Sequence, residues 1–429
     1  MWYKKLEVND KKFILDVISG EIFEVDDETF NKITEKTKKS ENAFSNATLH
    51  SFKDVSHHAK LKTMELMVST KCNLACSYCY AKQGSYGIGE KLMSVDVAKQ
   101  SILFGLKHSE KVLNISFFGG EPLLNFGVIE ESSRYALKIA EKTGKAVKFS
   151  ITTNGTILSE KIVNFFKEYN FRITLTIDGF KEIHDRYRKF RDGSGSYEIV
   201  WTNLKRMQKS GCKVIPQIII SYENLHELPR IVRFFQEQGF DYLSIGEVFD
   251  PSPKNIRRYW TEEEINAFAR EYFKVVKGII ENVKVRKKRI LIHQLFKMLH
   301  GIDTRQRCFY NCDAAIGKFI AITPDGDIYP CQMLIGIEKF KIGNVMEQSY
   351  TPFYAEHVDK TSCKDCWLKY YCGGGCFALA YLVNGDMKLR EIEDICERTK
   401  ELFKIAVYLY SSLSDEEFNF LINGEWKGE

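Results

Sequence analysis

Between residues 62 and 249 the chain alternates apolar runs with helical ones six times, and this rhythm restricts the fold more than any other feature. "MELMVST", "VLNISFFGGEP", "VKFSITTNG", "FRITLTIDG", "KVIPQIIIS" and "DYLSIGEVF" read as strands. "VDVAKQSILFGLKH", "VIEESSRYALKIAEKTG", "KIVNFFKEYN", "YEIVWTNLKRMQKSG" and "HELPRIVRFFQEQG" between them carry helical spacing. The strands are apolar along most of their length, as strands covered on both faces must be. The pattern predicts an α/β fold, a partial (β/α)6 barrel of the TIM type. In such barrels chemistry gathers at the carboxyl ends of the strands. "STKCNLAC", "FFGGEP", "TTNG" and "TIDG" all fall there, so four loops should converge on one mouth.

The flanks read differently. At the N-terminus "WYKKLEV", "KFILDVI" and "EIFEV" are short strands joined by turn signals, and "DDETFNKITEK" is a helix that Asp26 or Asp27 can cap. The stretch from Asn42 to about Lys60 is polar and linker-like. Beyond the barrel, two helical segments lead into a cysteine-rich region, where "KFIAITPDGDIYPC" reads as a hairpin around Pro324 to Gly326. The expected domains are 1–61, 62–285 and 286–429, and 429 residues with 44% hydrophobic content can furnish their cores. A net charge of +5 from 62 basic and 57 acidic residues is no argument for nucleic acid. The basic run "KVRKKR" at 284–289 reads as a solvated helix end or linker. No signal-like N-terminus and no window of about 18 apolar residues is present, so the expectation is a cytoplasmic protein without a membrane partner.

Twelve cysteines are many for a reducing compartment, where thiols serve metals or catalysis. Cys72, Cys76 and Cys79 form C-x3-C-x2-C on the loop after the first barrel strand. Three thiolates on a tight loop can hold three irons of a cubane and leave the fourth iron open. Zinc would want a fourth protein ligand, and no His lies between Lys71 and Lys107. Unrelated buried thiols are the remaining reading. Cys363, Cys366, Cys372 and Cys376 form C-x2-C-x5-C-x3-C, flanked by Cys308, Cys312, Cys331 and Cys396. Eight thiols are enough for two fully ligated cubanes. The glycines of "YYCGGGCF" suit a loop that wraps a cluster closely. Cys212 stands alone and reads as a core residue.

The first trio, with Tyr78 and Tyr80 around its last cysteine, resembles the signature of the radical S-adenosylmethionine (radical SAM) enzymes. On that resemblance Gly119, Gly120, Glu121 and Pro122 are the motif whose backbone and glutamate receive the SAM amino group, although "GGEP" alone could be a structural turn. Thr153, Asn154, Thr176 and Asp178 fall at the ribose-contacting strand ends, and Arg188 falls where an arginine pairs with the SAM carboxylate; a surface arginine is its plainer reading. The C-terminal cysteines resemble the SPASM extension, which binds two auxiliary [4Fe-4S] clusters. The resemblance implies an interleaved ligand set, with Cys308, Cys312, Cys331 and Cys376 on the first cluster and Cys363, Cys366, Cys372 and Cys396 on the second. Cys308 and Cys312 are closer in sequence than in sulfatase-maturing relatives, so Cys308 as a free thiol is the alternative.

The implied cofactors are therefore three [4Fe-4S] clusters and SAM. The implied reaction is reductive cleavage of SAM to a 5′-deoxyadenosyl radical that takes a hydrogen from a peptide, followed by oxidation of the substrate. No side chain is assigned a covalent catalytic role. Sulfatase-maturing relatives carry an aspartate base directly after the middle SPASM cysteine, where this chain has Gln332, which cannot accept a proton. Maturases that form thioether cross-links (sactionine or ranthipeptide type) in ribosomally made peptides match better. A formylglycine-forming sulfatase maturase and a non-catalytic iron–sulfur electron-transfer protein are the alternatives. The N-terminal strands and helix resemble a short precursor-peptide recognition element that would bind a leader peptide; a plain structural cap is the competing reading. A flavodoxin or ferredoxin-type electron donor is the other implied partner.

Overall fold

The computed structural model describes residues 2–33 and 60–424. Most of the polar stretch from Asn42 onward lies outside the described residues. The N-terminal strands β1 (Tyr3–Val8), β2 (Lys11–Asp16) and β3 (Ile22–Val25) form an antiparallel sheet in the order β1-β2-β3, with Leu6 opposite Phe13. The helix Asp27–Lys32 follows, and Asp26 caps it by accepting a hydrogen bond from the Thr29 amide at 2.7 Å. Leu6, Phe13, Leu15 and Val17 join the main hydrophobic core rather than a core of their own.

Six parallel strands carry the barrel: β4 (Leu61–Ser69), β5 (Ser109–Gly119), β6 (Ala146–Thr153), β7 (Arg172–Thr176), β8 (Lys213–Ile220) and β9 (Tyr242–Glu247). They lie side by side in chain order, as consecutive βα units must. Adjacent residues part to opposite faces with the strand period of two. Phe117 stacks with Phe149 and Phe171 in the main core, while its neighbour Phe118 lines the cavity at the barrel mouth. Helices cover the outside, and Ser94 and Ser159 cap two of them through the Val97 and Ile162 amides.

The sheet runs past the six strands on both sides. The two-residue β10 (Leu291–Ile292) pairs parallel with β9, and β11 (Phe319–Ile322) pairs parallel with β4 along Phe319↔Thr63 to Ile322↔Leu66. The hairpin expected around Pro324 to Gly326 is β11 with β12 (Asp327–Tyr329), and Gly326 takes φ +86° in its turn. β13 (Gly343–Asn344) and β14 (Ser349–Tyr350) complete an eleven-stranded sheet. The cysteine-rich region is therefore joined to the barrel edge by backbone hydrogen bonds. Within the basic run, Lys284, Arg286 and Arg289 pair with Glu417, Glu281 and Asp241. Among the described residues no helix is long and apolar enough to cross a membrane.

Candidate active site and cysteine centres

The loop after β4 folds against the loop after β5 because glycines let two backbones meet. A Cβ on Gly120 would sit 2.3 Å from the Lys71 carbonyl oxygen, and one on Gly84 would sit 2.7 Å from the Gly120 Cα. Gly119 holds φ +132°, and a Cβ there would collide with the Ser69 carbonyl oxygen. This contact places Cys72, Cys76 and Cys79 on the wall of a cavity of about 400 Å³, together with Tyr78, Gly119, Gly120, Thr153, Asn154, Thr176 and Arg188. Seven of the ten residues expected to contact SAM therefore share one cavity with the three thiols.

Glu121, Pro122 and Asp178 do not line it. Glu121 is fully buried, and its carboxylate accepts from the Leu123 amide at 2.9 Å, the Asn154 amide at 2.7 Å and Thr153 Oγ1 at 2.8 Å. It braces the "GGEP" loop against the end of β6. Asp178 is also fully buried; it accepts from the Tyr78 hydroxyl and from the Ile219 amide at 3.1 Å. Burial raises the Asp178 carboxyl, and the Arg188 guanidinium opposes that shift.

Arg188 is 7% exposed and donates from Nη1 to the Tyr78 hydroxyl at 2.9 Å, while its Nε is buried without a partner. A buried guanidinium donor left over at a cavity wall fits an anionic ligand group such as the SAM carboxylate. Asn154 Nδ2 points at Cys72 Sγ (3.7 Å) and also donates to Asn73 Oδ1. Burial pushes the Cys72 thiol up to about 11 and raises Cys76 as well. Such thiols ionise when a cationic metal centre takes the charge. No three or more His, Cys, Asp or Glu side chains among the described residues converge on a single-ion point.

The eight C-terminal cysteines lie in two neighbourhoods, one around Cys312, Cys331 and Cys376 and one around Cys363, Cys366, Cys372 and Cys396. Cys331 is strongly raised by burial, with Cys376 and Cys312 adding to the effect. Cys376 Sγ accepts from the Leu379 amide at 3.4 Å, at the N-terminus of the helix Phe377–Asn384. Cys308 reaches only Cys312 of this set electrostatically, and its Sγ donates to the Tyr310 carbonyl at 2.9 Å. The other four surround a cavity of about 330 Å³ lined by Cys363, Cys366, Cys372, Cys396, Gly374 and Gly375. Burial pushes Cys363, Cys372 and Cys396 up to about 11. Gly373, Gly374 and Gly375 all hold positive φ, 72°, 80° and 68°, a run closed to side chains of ordinary preference. Cys212 packs against the main core.

A three-thiol loop at the mouth of a parallel barrel, continued along the same sheet by a cysteine-rich region, is what a radical SAM domain followed by a SPASM domain presents, and the chain carries both. Residues 66–235 match the Radical SAM superfamily, and residues 312–367 match SPASM, an iron-sulfur cluster-binding domain. These domains imply [4Fe-4S] clusters and SAM as its cofactors.

Relatives include the cysteine-type anaerobic sulfatase-maturating enzyme of Clostridium novyi, 25% identical over 346 residues (74% of this chain, 88% of that protein). The radical SAM cyclopropyl synthase TigE of Paramaledivibacter caminithermalis is 23% identical over 379 residues, covering 81% and 76%. Among solved structures, native anSMEcpe with bound AdoMet superposes with a TM-score of 0.69 at 21% identity, covering 82% of this chain and 98% of that one. Streptococcus suis SuiB bound to precursor peptide SuiA gives 0.51 at 17%, covering 87% and 96%. Both superpositions speak to the fold.

The cavity also holds residues that the sequence pattern did not single out. Gln217 accepts from Thr176 Oγ1 at 3.1 Å across β7 and β8. Among the described residues Glu247, at the end of β9, is the one carboxylate on the wall, and its Oε2 accepts from Arg398 Nε at 2.7 Å. Glu247 is the last residue of β9, a strand-end position that could have marked it, whereas Gln217 lies mid-strand in β8 and gave no such signal.

Proposed function

We propose that this enzyme is a peptide maturase that oxidatively forms a thioether between a cysteine sulfur and a carbon of another residue. In this reading Cys72, Cys76 and Cys79 hold the SAM-binding cluster. Cys308, Cys312, Cys331 and Cys376 hold one auxiliary cluster, and Cys363, Cys366, Cys372 and Cys396 hold the other. When bound, these groups supply a 5′-deoxyadenosyl radical and an exit for one electron. The chain's own residues orient and exclude water. Arg188 would hold the SAM carboxylate, Gly119 and Gly120 would present backbone to its amino group, and Thr176 and Asn154 would fix the ribose. Tyr80 and Tyr86, in edge-to-face contact on the wall, shield the reacting atoms.

The observation that carries the thioether reading is Gln332. It lies on the cavity wall directly after Cys331, and its amide cannot take the proton that formylglycine formation demands of that position. Peptide chemistry is supported by the relatives, among them the maturating enzymes and SuiB with its precursor peptide. For the leader we propose the edge of β3, where Phe23 is 49% exposed at the margin of a three-stranded sheet, as a place for strand addition. A flavodoxin or ferredoxin-type protein would deliver the reducing electron.

The test is anaerobic incubation of iron-loaded enzyme with SAM, a low-potential reductant and a cysteine-bearing peptide encoded beside its gene. The expected products are 5′-deoxyadenosine and a peptide lighter by two hydrogens whose cysteine no longer alkylates. A peptide aldehyde instead would assign sulfatase-type chemistry.

A further inference from the structure

Arg390 is a buried cation with no anion of its own. It is 3% exposed, and every polar contact of its guanidinium goes to a backbone carbonyl. Nε donates to Met387 at 2.6 Å, Nη2 to Glu356 at 3.1 Å, and Nη1 to Gly375 at 3.3 Å and Gly374 at 3.5 Å. Among the described residues no carboxylate pairs with it. The other deeply buried arginines at this end of the molecule differ. Arg257 and Arg398 share the fully buried Asp394, and Arg398 also holds Glu247.

An unpaired charge in a protein interior is costly, so buried charges are paired or sit beside a metal centre. The surroundings of Arg390 supply only sulfur. It lines the cavity of Cys363, Cys366, Cys372 and Cys396, and Cys376 of the other set lines the same cavity. Thiols of both sets, Cys363 and Cys372 of one and Cys376 and Cys312 of the other, lie near enough to act on its charge. Its side chain also spans the loop between the sets, because the carbonyls it holds belong to Gly374 and Gly375, between Cys372 and Cys376.

We propose that Arg390 is the shared counter-charge of the two auxiliary clusters, a positioning residue that raises the reduction potential of both. The proposal rests on the reading that these eight cysteines hold two [4Fe-4S] clusters. A cubane with four thiolate ligands is a net anion, and adding one electron makes it more negative. A fixed cation between two such centres therefore favours the reduced state of each. Its carbonyl contacts keep the guanidinium in place without neutralising it.

Potentiometric titration with electron paramagnetic resonance detection tests this in the full chain carrying Cys72→Ala, Cys76→Ala and Cys79→Ala, so that only auxiliary signals remain. Iron is counted in every sample. Arg390→Gln keeps amide donors for the carbonyls and removes the charge; Arg390→Lys keeps the charge. The expected result is at least a tenfold loss in the reduction equilibrium of both clusters in the Gln variant, about 59 mV for a one-electron couple, with the Lys variant near the parent. If the Gln variant holds no auxiliary iron while the Lys variant does, charge is what the clusters require, which also supports the proposal. Parent potentials in the Gln variant, an equal shift in the Lys variant, or loss of iron from both would overturn it. A parent protein that binds no auxiliary iron overturns the cluster reading itself, and the iron count separates that outcome from the others.

Discussion

Glu65 in β4 lies in the barrel, beneath the cysteine loop, 6% exposed and with Oε1 unpartnered. Burial pushes its carboxyl up to about 8 from an ordinary 4.5. The folded protein therefore keeps this proton to about pH 8, whereas the unfolded chain releases it near 4.5. Between those values folding takes up a proton, so Glu65 costs stability as pH rises, by about 1.4 kcal/mol per pH unit. The cost is under about 1 kcal/mol at pH 5 and on the order of 4 kcal/mol at pH 8. Glu65→Gln keeps the shape and cannot ionise, so any packing penalty it brings is the same at every pH. The pH-dependent part of its stability gain should reach roughly 3 kcal/mol across that interval. For a barrel of this size that is on the order of 10 °C in unfolding temperature. Parallel thermal unfolding of wild type and variant from pH 5 to pH 8 reads it directly as a widening gap. A gap that stays constant, or that narrows toward pH 8, would show Glu65 ionised in the folded state and refute the argument.

Four further outcomes follow from the site. Arg188→Lys should raise the SAM concentration needed for half-maximal cleavage at least tenfold while iron content stays constant, because one ammonium cannot replace the free Nε and the Tyr78 contact together. Cys76→Ala should abolish 5′-deoxyadenosine formation and leave the auxiliary iron in place, measured by iron assay beside product analysis. Cys366→Ala should lose about four irons per chain, and Cys212→Ala should lose none. Glu247→Gln should lower cross-linked peptide at least tenfold relative to 5′-deoxyadenosine, since Glu247 is the cavity's one carboxylate; an unchanged ratio would remove it from the chemistry.

The barrel was legible because its strands are long, apolar and bounded by glycine, and the Asp26 cap and the Pro324 to Gly326 hairpin were legible because each is local chemistry. The cysteine sets were legible from spacing and family resemblance. What lay outside that reach depends on contacts distant in sequence. Nothing in "GGEP" reveals that Glu121 spends its oxygens on Thr153 and Asn154 rather than on the cavity. Likewise Arg390 is one arginine among many until the fold sets it in the cavity walled by Cys363, Cys366, Cys372, Cys376 and Cys396. β10 is two residues long, too short for periodicity to register. Glu65 did leave a trace: a lone acid inside the apolar run "MELMVS" conflicts locally with a strand covered on both faces.

The parallel pairing of β11 with β4 makes the cysteine-rich region a continuation of the barrel rather than a pendant on a tether. The spacing between the barrel mouth and the cysteine-rich region is accordingly fixed by a ladder of backbone hydrogen bonds, and it cannot drift with a linker. The same ladder carries a liability for anyone who trims the gene. A fragment ending before residue 319 would strip β4 of its neighbour and leave a bare, apolar margin, which invites pairing with other molecules and precipitation.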